Sequence, residues 1–244
     1  MGKDKATLQW HDRPLYWQAI DKMLPFCDQL YISLPAHHPL FAQLSTSPLP
    51  PRVHLLPDDL SLGDIGPAIS LLSAHSAQPT AAFLVFAVDF PLAPPAAFHQ
   101  LTQRHSTATP PLLVHSYVHD DGNPEPLMSL WQPEALEALR RNAVERGRTG
   151  PCQTIRELLG LPSKKGGGRT QKGGEGVKEA FHEGERMVVE ESVEESGGTQ
   201  SASGELPSGL VRPLESCWLF NTNTPGQWQA ALEMDRQRQQ QTGP

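Results

Sequence analysis

Long apolar runs are missing from this 244-residue sequence. The longest, Ala81 to Val88, falls well short of the roughly 20 residues that carry a helix across a bilayer, so no transmembrane helix is expected. Cysteine is scarce as well. Cys27, Cys152 and Cys217 lie far apart with no CxxC spacing, which points to neither a disulfide framework nor a zinc site and makes a reducing compartment the expectation. Met1 to Trp10 carries no apolar core of a signal peptide, and Ala6 stands where a myristoylation signal has Ser or Thr. A soluble, cytoplasmic protein is therefore expected. Positive charge is in deficit: the formal net charge is -7, and no basic stripe of the kind that tracks nucleic acid is present. The hydrophobic share is only 38% while Pro (24) and Gly (20) are abundant, so part of the length is expected to stay outside the core.

What is present reads as alternating helix and strand. Leu15, Ala19 and Met23, flanked by Ile20 and Leu24, repeat at helical spacing; Leu30 to Leu34 and Val53 to Leu56 read as short strands. Gly66-Pro67 opens a helix through Leu72, with Pro67 suited to its first turn. Phe83 to Val88 is a continuous apolar run, the pattern of a strand buried on both faces. A helix near Pro95 to Arg104 follows. Leu112 to Val118 then forms a strand, with Leu127 to Trp131 as its antiparallel partner across the turn Asp120 to Asn123. Pro133 to Glu145 is an amphipathic helix, Cys217 to Phe220 a further strand, and a last helix runs through Trp228 and Leu232. Together these predict an α/β fold with a doubly wound, mostly parallel sheet. Residues 1–162 and 213–244 form one domain in this reading. The segment 163–212 is a Gly-, Ser-, Lys- and Glu-rich insertion too poor in apolar side chains to order itself.

Four segments suggest phosphate and metal chemistry. Lys5 lies in a loop ahead of a helix, from which an ammonium group reaches phosphates as a mobile point charge; alone, an exposed lysine is the commoner explanation. Asp58 and Asp59, then Asp64 before Gly66-Pro67, place carboxylates in a loop ahead of a helix, to face a nucleoside or to cap that helix, with capping the stronger account of Asp64. Asp89 closes the apolar run Phe83 to Val88, at the carboxyl end of a strand where open α/β sheets bind ligands. A hard carboxylate there suits Mg²⁺, though an aspartate also simply starts turns. Asn221 and Asn223 sit on alternate positions of a strand end and so face the same side, while Thr224 and Pro225 are good first-turn residues for the last helix.

In this order the segments resemble the MobA-like NTP transferase family, the molybdenum cofactor guanylyltransferases. That family reads, roughly, a glycine-rich loop closing in Arg-Met-Gly, then Asp-Lys, Gly-Pro-Leu-Ala-Gly, Cys-Asp-Met-Pro and Asn-x-Asn-Thr-Pro. The matching residues here are Met1-Gly2 with Asp4-Lys5, Gly66-Pro67, Asp89 with Pro91, and Asn221-x-Asn223-Thr224-Pro225, of which the last is the most specific; Pro124 to Leu127 with Leu130 adds a weaker likeness. The resemblance implies a Rossmann-like nucleotidyltransferase fold and a Mg²⁺-dependent transfer of GMP from GTP to molybdopterin with release of pyrophosphate. It implies that Lys5 and Asp89 are catalytic and that Lys5, Asp58, Asp59, Gly66, Pro67 and Asp89 bind the nucleotide. Asp89 and Asn223 would hold the metal, and Asn221 and Asn223 would meet the acceptor. No nucleic-acid or membrane partner is implied. The family's Leu-x-Gly-Gly loop and the strand before it have no counterpart, since Met1 falls where Arg-Met-Gly ends, and an N-terminally truncated member is the expectation. Ser70 replaces the second glycine of the Gly-Pro segment, and Val88 and Phe90 flank Asp89 in place of Cys and Met. A non-catalytic binding relative, or a transferase using CTP or a sugar phosphate acceptor, stays open at this level.

Overall fold

The computed structural model describes residues 4–147, 150–162 and 206–242. In chain order the strands are β1 (Gln9–Trp10), β2 (Arg13–Pro14), β3 (Leu30–Leu34), β4 (Val53–Pro57), β5 (Phe83–Phe86), β6 (Val114–Val118), β7 (Pro124–Trp131) and β8 (Leu210–Val211). The α-helices are α1 (Leu15–Met23), α2 (Pro39–Ser45), α3 (Ala68–Ala77), α4 (Pro95–Thr107), α5 (Pro133–Arg140), α6 (Pro151–Leu158) and α7 (Pro225–Thr242). No described helix is long and apolar enough to cross a membrane.

The α/β class expected from the alternation is what the chain adopts. β3 and β4 pair in parallel, and β5, β7, β6 and β8 form a second ladder in that order. Within it β7 is antiparallel to both neighbours, and β8 is parallel to β6, so this sheet is mixed. Two apolar clusters mark the two faces. Leu84 and Phe86 of β5 join Ile20, Phe90, Phe98, Tyr117, Met128 and Trp218, whereas Phe83 and Val85 join Leu71, Leu72, Trp131, Leu136 and Ile155. This alternation along one continuously apolar strand is why β5 needs cover on both sides. Helices α1 and α4 supply the first face, and α3, α5 and α6 the second. A third cluster, Trp10, Leu15, Leu92 and Ala231, ties α7 to the start of the chain, with the Trp10 and Trp228 rings edge to face at 5.3 Å.

Several local readings differ from expectation. Cys217 to Phe220 is not a strand: Ser216–Leu219 winds as a 3-10 turn. The turn buries the consecutive side chains Trp218 and Leu219 together, which an extended strand would send to opposite faces. The strand position is taken by Leu210–Val211, inside the stretch assigned from sequence to the insertion, while residues 163–205 lie outside the described residues. The helix from Pro133 changes to a π-helical turn at Arg141–Glu145. The short α6, opened by Pro151 at its first position, has no counterpart in the sequence reading.

β8 enters the sheet through Gly209, whose φ is +94° and whose carbonyl accepts a hydrogen bond from the Ser116 amide (2.8 Å). A Cβ at this position would lie 2.7 Å from Leu159 Cδ2 and 2.9 Å from the Val114 carbonyl oxygen. Gly209→Ala is therefore expected to cost about 1–3 kcal/mol through strain and overpacking, read as a lower urea midpoint. An unchanged midpoint would show that β8 is not held as described.

Candidate functional site

Asp89 is placed by the loop that leaves β5. The Ala87 amide still bonds to the Leu127 carbonyl (2.9 Å), and Phe90, Leu92 and Ala93 then bury themselves, fixing the loop on either side of a half-buried carboxylate. From the far end of the chain, buried Thr222 donates to the Asp89 carbonyl through both its amide (3.1 Å) and its hydroxyl (3.2 Å). The backbone of Asp89 is thus held from two directions and its carboxylate is left for other partners.

Lys5 is one of them. Residues Lys5–Thr7 form a 3-10 turn whose N-cap, Asp4, accepts from the Ala6 amide (3.0 Å), while Ala6 is buried beneath it. The turn brings Lys5 Nζ to 3.1 Å from Asp89 Oδ1, and the same ammonium group donates to Asn223 Oδ1. Three residues that lie far apart in the sequence therefore meet at one point, at the carboxyl end of β5. His38 Nε2 lies 3.8 Å from Asp4 Oδ2 at the same edge.

The remaining candidates divide. Asp58, directly after β4, is buried and its Oδ1 accepts from the hydroxyls of Ser33 (2.6 Å) and Ser70 (3.0 Å), joining β3, β4 and α3. Ser70, the departure from the family's glycine, thus supplies a hydrogen bond that glycine could not. Asp59 caps the short turn Leu60–Leu62; hydrogen bonds from the Ser61 hydroxyl and amide hold its carboxyl below the ordinary carboxylate range. Asp64, expected to cap α3, does not: Pro67 is the N-cap and no side chain bonds there. Gly66 takes φ +57°, the left-handed turn that lets Pro67 start the helix. The two asparagines do not share a strand face, because residues 220–223 are irregular. Asn223 is exposed toward Lys5, whereas Asn221 Oδ1 is buried with no hydrogen-bond partner among the described residues.

Two residues went unnoticed in the sequence. Thr222 was legible only as the spacer between two asparagines. Lys22, on α1, donates to the Pro91 carbonyl (2.7 Å) and so braces the loop carrying Asp89. Burial pulls its pKa down to about 8, partly offset by nearby Asp235 and reinforced by Arg238. No helical periodicity could announce this contact, which needs the loop and α7 in place.

Among the described residues no group of three or more His, Cys, Asp or Glu could hold a metal. A single carboxylate beside an amide oxygen nevertheless suits Mg²⁺, which keeps several waters and completes its shell with substrate phosphates. Asp89 and Asn223, already converging on one cation in Lys5 Nζ, have that donor chemistry.

Residues 1–160 match the family model of the MobA-like NTP transferase domain. No curated protein matches the chain. Among solved structures the fold is similar to molybdopterin-guanine dinucleotide biosynthesis protein A from Archaeoglobus fulgidus. That comparison has a TM-score of 0.58 and 16% identity, and covers 97% of this chain and 92% of the other.

The depressed pKa of Lys22 sets a pH dependence. Between pH about 8 and about 10.5 the unfolded chain binds the proton more tightly than the folded one, so this residue makes stability rise with pH across that window. Compared with Lys22→Met, the native chain is expected to gain on the order of 1–3 kcal/mol from the lower to the upper limit, measured by urea unfolding. Parallel pH profiles for the two proteins would refute the assignment.

Proposed function

The chain belongs to the MobA-like NTP transferase family, a family of nucleotidyltransferases, and from that premise we propose that it transfers GMP from GTP to molybdopterin with release of pyrophosphate. The observation that supports this reading most directly is the meeting of Lys5, Asp89 and Asn223 at the carboxyl end of β5. Strand ends of this kind are where open α/β sheets hold nucleotides. The choice of guanine and of a molybdopterin acceptor rests on the Asn221-x-Asn223-Thr224-Pro225 resemblance and on the name of the similar archaeal protein.

In this reading an oxygen of the acceptor phosphate attacks the α-phosphorus of GTP. The bond to the bridging oxygen breaks and pyrophosphate leaves with the electron pair. The residues have little covalent work to do; they position reactants and offset charge. Lys5, on a flexible stem and only partly buried, steadies the triphosphate and the departing pyrophosphate. Asp89 and Asn223 would hold Mg²⁺, which when bound supplies further neutralisation of the phosphates. Thr222 and Lys22 keep the Asp89 loop in register through its carbonyls. Asp58 and the turn at Gly66-Pro67 would face the nucleoside side of the site.

Asp89→Ala is expected to lower pyrophosphate release by on the order of 100-fold or more with little change in melting temperature, since its carboxylate makes one partly exposed ion pair, with Lys5, worth roughly 0–1 kcal/mol. Full turnover in this variant would overturn the assignment. Substrate choice is read from thermal shifts of the native chain with Mg²⁺ and each nucleoside triphosphate: GTP should stabilise most, and greater stabilisation by CTP would reverse the nucleotide assignment.

A further inference from the structure

Two buried ring nitrogens where the end of α4 meets β6 have no hydrogen-bond partner among the described residues. One is Nε2 of His115, a β6 side chain only 3% exposed; the other is Nδ1 of His105, in the last turn of α4. An unpaired buried nitrogen carries its full desolvation penalty, and proteins rarely accept that twice in one place. The same strand and helix show how the penalty is normally avoided. The hydroxyl of Tyr117, two residues after His115, lies 2.9 Å from the Ala97 carbonyl and 2.7 Å from Gln100 Oε1, both on α4.

The two imidazoles stand edge to face, 5.4 Å apart at their centres and 80° between planes. Two imidazoles bound to one tetrahedral ion through nitrogens about 2.0–2.1 Å from it have ring centres about 5 Å apart, close to the spacing seen. His105 is also held from behind. Its Nε2 lies 2.8 Å from Gln132 Nε2, and the Gln132 backbone amide donates to the Leu113 carbonyl (2.8 Å), which pins it beside β6. A half-turn of the Gln132 side-chain amide presents Oε1 to the His105 Nε2–H and leaves the Nδ1 lone pair for a metal. Metal-bound histidines are commonly oriented in this way.

The electrostatics agree with this geometry. Burial first, then His105 and Arg104, pull the His115 pKa down to about 4, so its ring is neutral near pH 7, the form that ligates. The carboxyl end of α4 adds the negative pole of the helix dipole. Arg104 opposes a cation, but its side chain is exposed and screened by solvent.

We propose that His105 Nδ1 and His115 Nε2 bind one divalent metal ion of the zinc class, which clamps the last turn of α4 to β6. Imidazole nitrogens prefer Zn²⁺ to Mg²⁺, so this site differs in kind from the oxygen donors at Asp89 and Asn223. Two histidines leave two corners of a four-coordinate zinc ion to water, which enters past half-buried His105. Neither ring belongs to the proposed nucleotide site, and the test uses no activity.

Zn²⁺ is titrated into the full chain while its imidazoles are followed in long-range proton–nitrogen spectra, with His105→Ala and His115→Leu assigning the two rings. His105 Nδ1 and His115 Nε2 are expected to shift together and saturate at one equivalent, with Mg²⁺ moving neither. Zn²⁺ that leaves either ring unshifted overturns the proposal, whatever it does elsewhere, and assigns the two nitrogens to a bridging water. In a second arm, Zn²⁺ is expected to raise the melting temperature of the native chain by more than that of either variant. An equal rise in all three overturns the proposal too, by placing the zinc at other groups. Should His115→Leu fail to fold, His105→Ala, which alters a half-buried ring, and the native spectra still decide.

Discussion

Cover on both faces of β5 is the constraint from which the rest of the structure follows. A strand reading Phe-Leu-Val-Phe sends apolar side chains both ways, so it cannot lie on a surface. Leu84 and Phe86 call for α1 and α4; Phe83 and Val85 call for α3 and α5. Once those helices are stacked, the polar backbone at the strand's carboxyl end has one place to emerge, between the layers. There stands Asp89, the first residue after the apolar run able to face water. The chemistry of the edge is thus a by-product of the packing that makes the strand interior.

That edge is assembled from both ends of the chain. Lys5 comes from the described start and Asn223 from the segment before the last helix, with Asp89 between them. Thr222 makes the closure a matter of backbone: two hydrogen bonds to the Asp89 carbonyl, each worth on the order of 1 kcal/mol, fix the C-terminal segment against the loop. The third apolar cluster, in which Trp10 and Leu15 meet Leu92 and Ala231, does the same through burial. Site and fold are therefore stabilised by the same contacts.

This division explains what could be read from the sequence. Elements with strong periodicity, such as β3, β5, α5 and the β6–β7 pair, were legible because side-chain pattern alone decides them. Asp89 was legible because it ends such a run. Thr222, Lys22 and Ser70 were not, because each acts on a residue far away in sequence, and a threonine or lysine carries no local mark of the carbonyl it will meet. The expected strand at Cys217 to Phe220 failed for a related reason. Four apolar residues in a row fit a buried strand and a buried turn equally well, and only the tertiary site, with β8 already beside β6, chooses the turn.

The ion pair at the centre of the site is best understood as a weak one. Lys5 and Asp89 are each about a quarter exposed, at 23% and 29%, and pairs of that kind contribute roughly 0–1 kcal/mol. A strong buried pair would hold Lys5 against any ligand. A weak one keeps the ammonium group in the neighbourhood of the carboxylate while leaving it free to donate, in the proposed reaction, to a polyphosphate with several charges and many acceptor oxygens. The backbone of Asp89, by contrast, is held firmly by Thr222 and by Lys22 through Pro91. Rigid main chain with exchangeable charge is the combination that phosphoryl chemistry asks of a protein, since the work lies in placing charges before the substrate arrives and not in moving them afterwards.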